Sequence, residues 1–294
     1  MELMQLQMFV AAAEAHSLQR AAERVRRTPQ AVSMAIGKLE DEIGVLLFDR
    51  GARGFRLTSA GEVFLGHAKR ALNVLNEALA AIKDIRGAQK GHLRIGANQS
   101  IGEYILPQLT QSFRERYPGV TLRIVIGYSE AILSALENGD VDVALVAEKP
   151  KDRQLQVQLL MTDRLVAILN PRHSLAAREA VTLRELAAES LILLTETSEL
   201  RERVVETFRR AGIALDPCVE TGTLDSVKRM AARDMGIGIV PLLSVTAEES
   251  DRLVARTIDA FQQDRPLWIV QPENPSPASQ AFVALLKAQI GTAG

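Results

Sequence analysis

The sequence predicts an α/β protein in three parts: a small helical unit with a basic hairpin, one long helix, and a larger unit of two open sheets flanked by helices. Three observations carry this. Apolar residues recur at spacings of three and four through residues 3–43. A heptad-like pattern then runs from 59 to 86. Beyond it, short strand-like runs alternate with helical ones, as open sheets with helices on their faces require.

At 294 residues the chain exceeds one average domain, which implies two or more units. A composition 47% hydrophobic and 24% charged supports a sizeable core. The formal net charge of −1 excludes a uniformly basic coat and permits a local basic patch. Cys218 is the single cysteine, so an intramolecular disulfide framework and a Cys-rich zinc site are excluded. The opening "MELMQLQMFVAAAEAHS" has Glu2 where a signal peptide would carry cations, and reads as a short amphipathic helix. No apolar run reaches membrane-spanning length, so a cytoplasmic location without membrane partners is expected.

Leu6, Phe9, Val10 and Ala13 form the apolar face of a first helix. Ser17 stands at an N-cap position before "LQRAAERV", whose Ala21 and Ala22 let another helix approach. Thr28 caps a third helix, with Pro29 in the first turn, where a missing N–H costs nothing. On that helix Val32, Ile36, Leu39 and Ile43 make a narrow stripe to be buried, while Gln30, Ser33, Met34 and Gly37 point the opposite way. A protruding helix with short polar side chains fits a major groove, and Gln and Ser hydrogen-bond base edges there. Arg26 and Arg27 beside it suit phosphates. In "LFDRGARGFRLTSAGE", Phe55 and Leu57 alternate with Arg56 around two glycines, which suggests a hairpin bearing Arg50, Arg53 and Arg56 for phosphates or a narrow minor groove.

The run "FVAAAEAHSLQRAAERVRRTPQAVSMAIGKLEDEIGVLLFDRGARGFRLTSAGE" resembles the winged helix-turn-helix of LysR-type transcriptional regulators. The match is carried by Ser17, Ala21, Ala22, Ala31, Val32, Ser33, Ile36, Leu39, Glu40, Leu47, Phe48, Arg50, Arg53, Leu57, Thr58, Ala60, Gly61 and Glu62. Many members open the recognition helix Ser-Gln-Pro, whereas this chain has Thr28-Pro29-Gln30; the glutamine is displaced by one position, and the bases read do not transfer.

From 59 to 86 the helical pattern opens on a capping box of Ser59 and Glu62. Ala68, Ala71, Leu75, Ala78, Ile82 and Ile85 form a heptad seam, widened by Leu72 and Leu79. At 1.5 Å per residue the segment is about 40 Å long, too long for one small domain, and a dimerising coiled coil is expected. Gly87 and Gly91 in "RGAQKG" end it as a hinge.

After the hinge, "HLRIGA", "TLRIVIG" and "DVDVALVAE" are strand-like, with helical stretches at 106–117 and 130–138 between them. A second series runs "DRLVAILN", "SLILLT", "RERVVETFRRAG", "SVKRMAARD", "GIGIVP" and "PLWIVQP", with a last helix through "ASQAFVALLKAQI". The chain is expected to leave the first lobe near Thr162 and return near Pro266. The expected division is therefore 1–58 for the winged helix-turn-helix, 59–86 for the linker helix, 87–91 for the hinge and 92–294 for the sensor, with lobe I at 92–162 and 266–294 and lobe II at 163–265. Such a two-lobed unit resembles the effector domain of the same family and periplasmic solute-binding proteins, with "GHLRIGA", "LENGDVDVAL" and "AARDMGIGIVP" as its looser signatures.

Ligands of open α/β sheets bind outside the carboxyl ends of strands, which puts a pocket between the lobes. Its candidate residues are Asn98, Gln99, Ser100, Ile101, Ser129, Thr195, Glu196, Gly222 and Thr223, with Arg201 as an added charge. Ser100 and Ser129 at helix starts, with free N–H groups beside them, suit a carboxylate or phosphate. "SIGEYILP" resembles the subset of the family that regulates carbon fixation and sulfur metabolism, which hints at an anionic metabolite.

No catalytic reading emerges. Cys218 has no histidine near it in sequence; His16, His67, His92 and His173 lack metal spacing; "GIGIVP" lacks a phosphate-loop lysine. Neither catalysis, a metal nor a prosthetic cofactor is expected. The resemblance implies double-stranded DNA at an interrupted palindrome as partner, a homodimer and a homotetramer built from it, and a small co-inducer that shifts how the dimers pair. The alternative is a two-lobed solute-binding protein with no regulatory DNA role.

Overall fold

The computed structural model describes residues 1–49, 55–85, 91–150, 155–261 and 265–290, and for 76–85 the helix path alone. Three helices form the amino-terminal bundle: α1 (Leu3–Ala15), α2 (Leu18–Val25) and α3 (Pro29–Ile43). Ser17 caps α2 by accepting from Arg20 N, and Thr28 caps α3 by accepting from Ala31 N at 3.2 Å, with Pro29 in its first turn. Phe9, Ala12, Ala21, Val32, Ile36 and Leu39 are wholly buried at the centre. Each large apolar side chain sealed in this way contributes about 1.5–3 kcal/mol.

The stripe on α3 ends sooner than expected. Ile43 is exposed, and Glu40 turns inward instead, its carboxylate accepting the N–H groups of Leu47 at 2.8 Å and Phe48 at 3.0 Å. The helix ends at Ile43, and Gly44, in the left-handed conformation at φ 83°, caps it with its N–H on the Glu40 carbonyl. The hairpin follows as β1 (Phe48–Asp49) antiparallel to β2 (Arg56–Leu57). Phe55 stacks on Phe48 with ring centroids 4.1 Å apart.

The long helix α4 (Ser59–Ile85) has 27 residues. Its cap is Thr58, one residue before the expected Ser59–Glu62 box: Thr58 Oγ1 accepts from Gly61 N at 3.0 Å. Ala68 is buried in the amino-terminal bundle, while Ala71 and Leu75 lie exposed; side chains of the seam beyond Leu75 lie outside the described residues. Lys69 joins α4 to both neighbours, meeting Glu14 at 3.2 Å and Asp140 at 2.9 Å.

Two mixed sheets follow. The first contains β3 (Gly91–Ala97), β4 (Val120–Ile126), β5 (Val143–Val146), β6 (Gln156–Asp163) and β13 (Arg265–Gln271), in the order β4-β3-β5-β13-β6. Helices α5 (Gln99–Tyr104), α6 (Leu106–Arg116), α7 (Ser129–Glu137) and α11 (Pro277–Ile290) belong with it. The second contains β7 (Leu165–Leu169), β8 (Ala180–Val181), β9 (Leu191–Leu194), β10 (Pro217–Thr221), β11 (Ile237–Pro241) and β12 (Val254–Ile258), in the order β10-β9-β11-β7-β12-β8. Its helices are α8 (Leu183–Ala187), α9 (Glu199–Arg210) and α10 (Leu224–Ala231).

Every residue of β7, β9 and β11 is buried, as strands covered on both faces must be. Along β7, Leu165, Ala167 and Leu169 enter one core cluster and Val166 and Ile168 the other, the alternation a strand imposes. The crossings between lobes differ by one residue from expectation. Asp163 and Arg265 are antiparallel partners within the first sheet, so both ends of the supposed second lobe belong to the first.

Candidate functional site

On α3 the two faces are distinct. Val32, Ile36 and Leu39 are inside, whereas Gln30 and Met34 are exposed, Met34 by 65%, and Ser33 and Gly37 are half-buried. A Cβ added at Gly37 meets nothing within 4 Å, so this face lies open. Arg26, Arg27, Thr28 and Pro29 are exposed at its start, and Arg56 is exposed on β2. Arg50 and Arg53 lie outside the described residues.

Between the lobes is a cavity of about 180 Å³. Lobe I contributes Asn98, Gln99, Ser100, Glu103 and the Ile126–Gly127–Tyr128 turn; lobe II contributes Leu194, Ser198, Glu199, Leu200, Leu224 and Pro241; Arg265 comes from a crossing strand. Arg265 is buried, and its guanidinium donates to Ser100 Oγ at 3.3 Å and meets Asp163 at 3.2 Å. Burial pulls its pKa below the ordinary value, with the Asp163 carboxylate as the main opposing influence. An arginine held this way remains cationic at neutral pH and presents planar donors to an acid group. Asn98 Oδ1 accepts from Ile101 N and Ser100 Oγ, while the buried Asn98 Nδ2 has no partner among the described residues.

The expected free N–H groups are not free. Asn98 caps α5, and the start of α7 is taken by a carboxylate from the other lobe: Ser129 N and Oγ both donate to Glu199. The reason is proximity across the cleft, since α9 begins at Glu199 opposite α7. Ile101 packs in the lobe I core behind the cavity. Arg201 does not line the cavity and adds no charge to it; it is buried and pairs with Glu220 on β10 at 2.7 Å. Thr223 acts as the N-cap of α10, accepting from Ser226 N at 3.2 Å, and Gly222 precedes it on the exposed turn. Thr195 bonds Thr197 at 3.4 Å. Glu196 lines a wider outer cleft of about 800 Å³ with Glu130, Glu137, Glu148, Glu199 and Glu202.

Sequence reading missed Arg265, Glu199 and Tyr128. Arg265 sits in "DRPLWIV", and a cation opening a strand at a lobe crossing was a usable signal. Glu199 and Tyr128 carried none, because only the pairing of lobes brings them together. Among the described residues no cluster of three or more His, Cys, Asp or Glu side chains is arranged to hold a metal, and no helix is long and apolar enough to cross a membrane.

A capped helix with an open polar face, a basic hairpin, a long helix and a two-lobed unit around a polar cavity define the class: a DNA-binding head joined to a ligand sensor. The comparisons place the chain within it. Residues 3–62 match the model for bacterial regulatory helix-turn-helix proteins of the lysR family, and residues 86–291 match the LysR substrate binding domain. The chain belongs to the LysR family. That head sets aside a solute-binding protein without a DNA role.

The RuBisCO operon transcriptional regulator of Allochromatium vinosum is 32% identical, over 95% of this chain and 93% of its own. The fold matches a full-length OxyR variant of Pseudomonas aeruginosa with TM-score 0.79 at 24% identity, covering 99% of this chain and 94% of that one. The CcmR regulatory domain of Synechocystis PCC6803 in complex with 2-PG matches with TM-score 0.63 at 25% identity, covering 68% of this chain and 98% of that one.

Proposed function

We propose that this chain is a cytoplasmic transcriptional regulator that binds an interrupted palindrome in duplex DNA and is switched by a small acidic metabolite held between its lobes. Residues 1–58 form the head and 59–86 the pairing helix; the sensor begins at Gly91, which the structure makes the first residue of β3 and not part of the expected hinge, whose other residues, 87–90, lie outside the described residues. Gln30, Ser33, Met34 and Gly37 face base edges; Arg26, Arg27, Thr28, Pro29, Arg50, Arg53 and Arg56 hold the backbone. Two heads yoked through α4 turn the second DNA contact into an intramolecular one, and two such dimers form the tetramer. The chain works without catalysis or a prosthetic group.

The observation that carries the effector class is the buried Arg265 guanidinium beside the unpartnered Asn98 Nδ2 in the inter-lobe cavity. Buried donors without acceptors are costly unless a ligand completes them. The cavity of about 180 Å³ has room for a small compound. The 2-PG complex of a similar regulatory domain supports a metabolite of that scale.

The test is thermal denaturation of the full-length chain against a panel of small carboxylic and phosphorylated acids and their neutral amides. Stabilisation by acids, absent for the amides and lost in Arg265→Gln, is expected. Equal stabilisation by neutral compounds contradicts the acidic class.

A further inference from the structure

Glu199 begins α9 in lobe II, yet its carboxylate occupies the polar start of α7 in lobe I. It accepts the Ser129 backbone N–H, and the Ser129 hydroxyl at 2.7 Å. Ser129 is wholly buried, so water does not compete for these donors. Tyr128 Oη and Thr197 Oγ1 meet beside them at 3.0 Å, and the lobes are thus joined at this corner by their own side chains. A carboxylate facing an N–H and an O–H at a helix start is what an acidic metabolite itself would present there.

Two further observations tie this contact to the cavity. Glu199 lines it, and the negative charge of Glu199 acts on the buried Arg265 guanidinium. In the same cavity Asn98, only 6% exposed, keeps its Nδ2 without a partner among the described residues, so one donor waits unfilled while a protein carboxylate fills the pair at Ser129. Glu199 also borders the outer cleft, whose lining includes Glu130, Glu196 and Glu202.

We propose that Glu199 is a built-in competitor for the effector's acid group: its carboxylate holds the seat at Ser129 in the ligand-free chain, and an entering phosphate or carboxylate displaces it. Binding then exchanges one anion for another at the same donors, and the response threshold is set by the tethered carboxylate, whose effective concentration for such short connections is on the order of millimolar. This rests on the inter-lobe pocket being the effector site.

The test compares full-length wild type with Glu199→Gln, using inorganic phosphate as probe, by calorimetry and by hydrogen exchange. Without phosphate, amides in the first turn of α7 should exchange at least five-fold faster in Glu199→Gln, with α3 unaffected. Phosphate should bind Glu199→Gln at least ten-fold more tightly than wild type, and adding Ser129→Ala should remove that gain. Unchanged exchange at α7, or equal phosphate affinity in the two proteins, overturns the competitor. If phosphate protects residues 98–101 equally in both, the pocket stands and only the competitor falls. If it protects those residues in neither, the pocket reading falls with it.

Discussion

Arg26 ends α2 with φ 53° and ψ 50°, a left-handed conformation that favours glycine. A side chain held there costs roughly 1 kcal/mol, which points to a use for the cation beside α3. Arg26→Gly should therefore leave the fold as stable or up to about 1 kcal/mol more stable while weakening DNA binding, and it should reduce the salt slope by about one. Denaturation and salt titrations on one preparation decide this; loss of stability with unchanged salt slope contradicts it.

A second residue-scale expectation concerns Lys228 and Glu249, 2.9 Å apart in lobe II. Burial alone would raise the Glu249 carboxyl, but Lys228 and the Thr246 backbone outweigh it and hold it below its ordinary 4.5. A depressed carboxyl stabilises above its unfolded value and loses that contribution as pH falls through the folded one. The melting temperature of wild type should thus fall more steeply below pH 4.5 than that of Glu249→Gln. Parallel curves contradict the assignment.

Among elements, α4 shows how close approach is built. A Cβ at Gly61 would stand 2.1 Å from the Leu47 carbonyl oxygen, which is backbone and does not yield. Gly61→Ala should destabilise the head by about 1–3 kcal/mol, read from chemical denaturation. Farther along, Val63, Val74 and Leu75 are exposed by 68%, 62% and 46%, too much apolar surface for a helix left alone. Leu75→Glu should convert the dimer to monomer in light scattering and lower operator affinity about 100-fold or more. A dimer that survives places the seam elsewhere.

The helices of the head and the fully buried strands were legible because their apolar periodicity is set by burial on one face or both, as in "LVAIL" and "LILL". Strands β6, β10 and β12 were not. Each is half-exposed and mixes polar with apolar residues, "QVQLLMTD" and "PCVET" among them, so no run marks them. The Ser59–Glu62 box fitted its pattern, but Thr58 is placed by its own bonds to the Leu46 and Leu47 carbonyls and takes the cap.

At the scale of the whole molecule, the candidate pocket was half legible. Asn98, Gln99 and Ser100 follow a strand within one lobe, so local pattern finds them. Arg265 reaches the cavity on the strand by which the chain returns from the second lobe, and Glu199 only because the lobes close over each other, which no local spacing encodes. The same crossing puts the charge that would meet an effector on the strand pair joining the lobes. The Asp163–Arg265 strand pair stands where the chain crosses between lobes, and Lys69 ties α4 to Asp140 of the first lobe.

All of this depends on the open face of α3 reading bases from two linked copies. In vitro selection from a random duplex pool with the full-length chain tests that directly, repeated with Gln30→Ala. Wild type should enrich an interrupted palindrome, and the variant should change the preference at discrete positions of each half-site, with discrimination there of about 1–3 kcal/mol. A pool that stays unselected, or the same consensus from both proteins after Gln30, Ser33 and Met34 are all replaced by alanine, contradicts it.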